Sequence, residues 1–531
     1  MKATYIDYRD TNSFSKTLLA YLDGDAELAP FYGHRPTIES FQKQIQEKSS
    51  FSSEQRQTLV EVLNQQYAGL LEDAPLVAEQ INALAQPNAF TVVTGHQLNV
   101  FTGPLYFIFK IVSAIRLAQD LKKAYPDQHF VPVYWMATED HDFAEINHTR
   151  VHGKKVSWDR SAIAATGRMP TDDMAEVVRQ YVGMLGLSGF SKELAELVES
   201  AYLKNLSLAD ATRTLVHGLF KDYALLILDA DRPELKTYFA PYIEQDILQE
   251  RSFQAIEKTS AALNSAGYAT QVNAREINFF YLTDEFRERL VRTEDGNFEV
   301  LHQNIFFTES EIKAEIAEHP ERFSPNVVMR PLYQEIILPN LAYVGGGAEI
   351  VYWLQLKANF DQFEVPFPIL IPRNSAIVTD DTTVGKIFRL DLTLKSIFRP
   401  LDNLKNEYVR RYTKHRLTLR DEWMELNAIF GKMKLRTHKI DPSLGPSTEA
   451  VKARLKKAIN NLEKKLLKSD KRNHQDGLIQ IERVKDRLFP GGGLQERSEN
   501  FATLYVKHGD ALIDELILYF HPLDFKFTIL Y

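Results

Sequence analysis

No cysteine occurs among the 531 residues of this chain. That absence excludes disulfides and every thiolate-held metal, Cys-ligated zinc included. It fits a reducing compartment, and a cytoplasmic location is the expectation. No apolar run approaches the ~18 residues of a membrane span. The start, Met1-Lys-Ala-Thr-Tyr-Ile-Asp7, lacks the basic-then-apolar pattern of a signal peptide. No repeat or low-complexity segment stands out. The formal net charge of −8 argues against a nucleic-acid coat or a polybasic membrane binder, so neither partner is expected. What is present is ordinary globular text, 44% hydrophobic and 25% charged. A chain of this length calls for about two to four domains.

The densest signal runs from Thr91 to Tyr106. The β-branched run Thr91–Thr94 predicts a buried strand that ends at Gly95. A polar loop then leads to Thr102-Gly103-Pro104, which opens a helical pattern over Leu105–Lys123. Thr102 suits the N-cap, and Pro104 suits the first turn, where its missing N–H costs nothing. Strand, glycine-bearing loop and helix N-terminus together form a geometry that cradles phosphate. An ordinary βα unit reads the same way, because the spacing is neither G-x-G-x-x-G nor a P-loop.

A second stretch follows one helix later. Phe130–Ala137 is an apolar run of strand length, and it breaks into Thr138-Glu-Asp-His-Asp142, then Glu145, Asn147 and His148. Polar groups just past the carboxyl end of a parallel strand lie where open α/β sheets bind ligands. Asp140, His141 and Asp142 cannot all be buried without partners. A solvated loop capping the next helix is the plainer alternative. His96, Glu139, His141 and His148 are metal-type ligands, but no H-x-x-x-H pair appears, and no metal site is expected.

These stretches resemble the bacillithiol biosynthesis cysteine-adding enzymes. The resemblance rests on Thr94-Gly95-His96-Gln97, Phe101-Thr102-Gly103-Pro104-Leu105-Tyr106 and Glu139-Asp140-His141-Asp142-Phe143 with Glu145-Ile146-Asn147. Further matches lie at Val344–Glu349, Pro372-Arg373-Asn374-Ser375 and Phe489–Arg497, in order along nearly the whole chain. One departure is His96-Gln97, where the family pattern has Gln-Gln. The resemblance implies an α/β fold: a Rossmann-like parallel-sheet core like that of class I aminoacyl-tRNA synthetases, an α+β insertion, and a coiled-coil arm that makes a homodimer. It implies a ligase joining the carboxyl of cysteine to the amine of glucosaminyl-malate. ATP/ADP is the implied nucleotide, with Mg2+ as a candidate ion beside it.

The domain reading follows. Residues 1–150 hold N-terminal helices and the first half of the core, and residues 151–325 the insertion. Residues 326–380 complete the core, residues 381–488 form the arm, and residues 489–531 are a tail docked on the body. Helices are expected over Phe41–Leu71 and Ala74–Leu84, and one long helix from Pro233 to about Ala266. Strands are expected at Ala224–Leu228 and Thr270–Val272 within the insertion. In the arm, Val451, Leu455, Ala458, Leu462 and Leu466 alternate by four and three. Breaks at Asp441-Pro442 and Gly445-Pro446 predict two long antiparallel helices, with Lys and Arg on their solvated faces.

An amide ligase must activate a carboxylate and present a neutral amine. Thr102, Gly103, Tyr106 and Ser375 are assigned to the nucleotide. Arg373, after the last core strand, is assigned as a mobile cation by analogy with the synthetase core. Lys110, two turns into its helix, reads as a packing residue. Asp140 or Asp142 suits a substrate ammonium or hydroxyl, and His96 or His141 suits the proton of the attacking amine. Gln97, Asn147, Gly346 and Asn374 complete the substrate set. Gly345-Gly346-Gly347 reads either as close backbone approach to a ligand or as a tight turn. Two other functions fit the same text: a non-catalytic nucleotide-sensing or scaffold protein, and an RNA-binding synthetase relative.

Overall fold

The computed structural model describes residues 1–162, 164–413 and 417–531. Residues 414–416 of the expected arm lie outside the described residues. The chain forms two compact units. One comprises Met1–Arg9, Ser13–Val378 and Gly493–Leu530, and the other Asp10–Asn12, Thr379–Gly492 and Tyr531.

The first unit is Rossmann-like and centres on five parallel strands. These are β1 (Ala89–His96), β2 (His129–Met136), β3 (Leu226–Asp229), β4 (Asn340–Gly345) and β5 (Ile369–Pro372). Their order is β5-β4-β1-β2-β3. β1, β2 and β4 are buried along nearly their whole length, so they read as continuous apolar runs rather than alternating ones. The order reverses between β1 and β4, the topological switch point where such sheets bind ligands. Helix α1 (Tyr106–Ala124) follows β1, and α2 (Gly347–Gln362) follows β4. The Thr94 hydroxyl on β1 donates to the Val344 carbonyl on β4 at 2.8 Å.

Several expectations shift. The strand expected inside the insertion becomes β3, an edge of the core sheet in parallel register with β2. The expected long helix from Pro233 is three helices, Pro233–Lys236, Ala240–Gln249 and Arg251–Ser265, and Glu250 at φ 54° breaks the last two. Phe41–Leu71 is likewise divided into Ser40–Lys48 and Ser53–Gln66, because the Ser52 hydroxyl caps a new helix through Glu54 N–H. Thr270–Val272 forms no strand. The N–H groups of Gln271 and Val272 instead donate to the Gln355 side chain at 2.7 and 3.0 Å.

The insertion adds an antiparallel sheet that contains Phe279–Leu282, Arg287–Arg292 and Phe323–Pro325. A third sheet places Lys526–Leu530 between Ala3–Asp7 and Ala376–Val378.

In the second unit, α3 (Arg420–Ile440) and α4 (Gly445–Asp470) pack antiparallel. Leu419 N–H reaches Glu463 at 2.7 Å, while Lys434 pairs with Glu449 at 2.7 Å near the turn. The expected stripe divides. Leu455 and Leu466 are half-buried, whereas Val451 and Leu462 are about half exposed, at 50% and 49%. Among the described residues no helix is long and apolar enough to cross a membrane.

Candidate active site

A cavity of about 920 Å3 opens over the carboxyl ends of the core strands. β1 delivers His96 and Gln97, β2 the loop Glu139–Asp142, β4 and α2 Gly346 and Glu349, and β5 Arg373. Among the residues singled out from the sequence, His96, Gln97, Tyr106, Asp140, His141, Asp142, Gly346 and Arg373 all line it.

The lining carries two charge groups. The acidic one lies on the loop after β2. Gln97 Nε2 donates to Asp140 Oδ2 at 2.6 Å and to Glu145 Oε2 at 3.0 Å, which ties that loop to the end of β1. Asp140 Oδ1 accepts the backbone N–H of His141 at 2.8 Å and that of Asp142 at 3.3 Å, the second an Asx-type turn that shapes the loop locally. Behind it, Glu139 pairs with Lys236, which is fully buried and also donates to the Phe323 carbonyl at 2.9 Å. Burial pushes the Glu139 carboxyl up, against the attraction of Lys236.

The basic group comprises Lys110, Arg330 and Arg373, with Arg497 on the rim of the same cavity. Lys110 Nζ donates to the Gly95 carbonyl at 2.8 Å and pairs with Glu349 at 2.6 Å. Burial lowers the Lys110 pKa, and Glu349 only partly restores it. Burial raises the Glu349 carboxyl, but Lys110, the Tyr343 hydroxyl and the Gly346 backbone outweigh it and leave it below the ordinary value. Arg330 lies 5.7 Å from the Trp135 ring centroid and 5.6 Å from that of Tyr343. Its Nη2, the Nε of Arg373 and Nε2 of His96 are buried polar atoms with no protein partner. Buried polar atoms without partners are costly, and three of them on residues lining one cavity mark a place where a ligand supplies the missing bonds. His96 is held well below the ordinary histidine pKa by burial first, then by Lys110 and Arg373. Its imidazole is therefore neutral at pH 7.

Five predicted residues fall elsewhere. Thr102 is not an N-cap: it sits at φ 69°, and α1 starts four residues later with no side-chain cap. Gly103 takes φ 60°, ψ −140°, a conformation that favours glycine, and its N–H donates to the Val100 carbonyl at 3.0 Å. Its own carbonyl accepts from Asn500 at 2.6 Å, and Leu105 N–H is engaged by the Glu499 carbonyl at 2.8 Å. The loop before α1 is thus closed by the C-terminal segment rather than held open for phosphate. Asn374 N–H donates to Ser113 at 2.9 Å, Ser375 donates to Glu496 at 3.1 Å, and Asn147 contacts His148 at 3.0 Å.

Two residues that do line the cavity behave differently than expected. Arg373 is fixed, not mobile. It is 6% exposed, pairs with the buried Glu496 at 2.7 Å, and donates to the Asn374 carbonyl and the Ser375 hydroxyl. Lys110, read from sequence as packing, is part of the site.

Arg287, Arg330 and Glu349 were not singled out. Glu349 follows the Gly345-Gly346-Gly347 run and was within reach of that motif. Arg287 and Arg330 carry no local signal: the antiparallel sheet of the insertion brings in Arg287, and the helix Arg330–Ile337 before β4 brings in Arg330. No group of three or more His, Asp and Glu side chains suited to a metal occurs among the described residues.

Comparison with known proteins bears on this geometry. The family model "Bacillithiol biosynthesis BshC, N-terminal Rossmann-like domain" matches residues 1–374, and "Bacillithiol biosynthesis BshC, C-terminal coiled-coil domain" matches residues 376–531. A Flavobacterium johnsoniae protein named "Putative cysteine ligase BshC" is 42% identical over 531 residues, spanning 100% of both chains. Proteins of the same name from Flavobacterium psychrophilum and Cytophaga hutchinsonii are 41% and 37% identical, over 100% and 98% of this chain and 99% and 97% of their own.

Proposed function

The chain belongs to the BshC family of bacillithiol biosynthesis, and from that premise we propose that it is a ligase joining the carboxyl of cysteine to the amine of glucosaminyl-malate, with ATP activating the carboxylate. One observation carries the reading. A single cavity at the topological switch point holds unpaired basic donors beside an acidic loop.

The basic group suits phosphates and substrate carboxylates, because Arg offers planar, always-charged donors. Asp140 and Asp142 suit an ammonium or sugar hydroxyls. ATP supplies the leaving group: its phosphoryl or adenylyl unit passes to the cysteine carboxylate, and the amine then displaces phosphate or AMP as the amide forms. His96, neutral and with Nε2 unpartnered, takes the proton that the amine loses. Mg2+ would enter on the nucleotide phosphates, consistent with its habit of few protein ligands.

The test is incubation of the pure protein with cysteine, glucosaminyl-malate and ATP, followed by mass spectrometry. Bacillithiol together with ADP or AMP is the expected result. Retained nucleotide without any product would leave the nucleotide-sensing or scaffold reading in its place.

A further inference from the structure

Arg287 reaches the cavity from the antiparallel sheet of the insertion, far in sequence from the loop it touches. Its Nη1 lies 2.7 Å from His141 Nδ1. Arginine has five donors, no acceptor, and a charge it does not lose in proteins. The imidazole nitrogen facing it must therefore present a lone pair. We propose that Arg287 is a positioning residue that fixes His141 as the neutral imidazole with its proton on Nε2, so that His141 donates a hydrogen bond to a substrate oxygen in the cavity and does not act as a base. Its role in turnover rests on the ligase reading above; the tautomer itself does not.

The surroundings hold Arg287 to this task. Its Nε donates to Ser324 at 2.9 Å and its Nη2 to the Pro325 carbonyl at 3.1 Å. The guanidinium lies 3.9 Å from the Phe280 ring centroid, and the residue is 7% exposed. It cannot swing away without losing all three contacts.

The competing partner for Nδ1 is Asp140. Its Oδ1 is 3.9 Å from that nitrogen, beyond hydrogen-bond range, and already accepts the N–H of His141. The charged groups that act on the ring are Arg287, which disfavours its cationic form, and Asp140, Asp142 and Glu288, which favour it. Burial first, and Arg287 second, lower the His141 pKa against the pull of those three carboxylates. An imidazolium would also press a second cation against the guanidinium. The ring nonetheless remains about 41% exposed, so Nε2–H is accessible to a bound molecule.

The tautomer is directly readable by nitrogen NMR of 15N-histidine-labelled full-length protein, with His141 identified by the signals lost in His141→Gln. The expected spectrum at pH 7 shows a protonated Nε2 and an unprotonated Nδ1, with a titration midpoint below the ordinary ~6.5. In Arg287→Met only burial opposes the carboxylates, and the midpoint should rise. A protonated Nδ1 in the wild type, an imidazolium at pH 7, or an unmoved midpoint in a folded Arg287→Met would each overturn the proposal. The wild-type spectrum decides the matter even if Arg287→Met does not fold. An intact tautomer in an inactive protein would count against the ligase reading alone. A wrong tautomer in an active one would count against this proposal alone.

Discussion

The Glu496 carboxylate accepts from Arg373, from the Ser375 hydroxyl and from the Ala376 N–H, all in a buried setting. Arg373→Ala strands that charge, and removing one partner of a buried pair costs ~3–5 kcal/mol. Urea denaturation should show that loss, and Arg373→Met with Glu496→Gln should lose less than the two single variants summed. Arg330 is the cleaner probe of anion binding, since its Nη2 has no protein partner. Arg330→Met should weaken ATP binding by roughly 10- to 100-fold in calorimetry, the range of one charge-assisted hydrogen bond. His96 gives a pH prediction. Its folded pKa lies below the unfolded value, so beneath ~6.5 the unfolded chain binds more protons and stability falls as pH drops; above ~6.5 the contribution is flat. His96→Gln should remove up to ~1.4 kcal/mol per pH unit of that slope, read from denaturation midpoints between pH 5 and 7. His96, Asp140 and Arg373 were legible in the sequence because each lies at or within a few residues of the end of a strand of recognisable text. Arg287 and Arg330 were not: the first depends on where the insertion folds back, and the second opens a helix with no glycine or strand end to mark it.

Among the elements, the α3–α4 hairpin separates two roles that one apolar stripe had merged. Leu455 is half-buried, while Leu462 and Val451 are about half exposed, along with Met424, Ile429 and Met433 on α3. Uncovered apolar surface of this kind favours a second copy, and we propose that the homodimer forms on it. Leu462→Lys should then shift the light-scattering mass from dimer to monomer while changing helix stability by less than ~0.5 kcal/mol. Leu455→Lys should instead loosen the hairpin itself by ~1–3 kcal/mol, seen as an earlier helical melting transition. A dimer that survives Leu462→Lys together with Val451→Lys would refute this surface. The antiparallel pair was legible from its breaks at Asp441-Pro442 and Gly445-Pro446. The covered side was not, because a four-and-three spacing over so few turns fits more than one face of a helix. The break at Glu250 was hidden for a related reason: glutamate is a good helix former, and tertiary packing placed it in the left-handed region.

For the whole molecule, β1 and β2 could be read from their endings at Gly95 and Thr138, and the last core strand from its place before Arg373. β3 could not be assigned to the core, since a short apolar strand looks the same in either sheet. The two family matches meet near residue 375, close to Val378 where the first compact unit leaves off, yet that unit also takes back Gly493–Leu530 from the second match. Gln495 brackets Val378 with two hydrogen bonds, to its N–H at 2.9 Å and from its own amide to the Val378 carbonyl at 3.0 Å, and Lys526–Leu530 is the middle strand of its sheet. A fragment spanning residues 1–378 should therefore be insoluble or unfolded by circular dichroism. Adding residues 493–531 as a separate chain should recover solubility. The same closure sets a clock during synthesis. Arg373 emerges from the ribosome 123 residues before Glu496. At ~5–20 residues per second, its guanidinium waits roughly 6–25 s for the carboxylate that holds it. Throughout that interval the residues of all five core strands have been made, but Arg373 lacks the buried carboxylate that holds it, so the site cannot be completed before the tail.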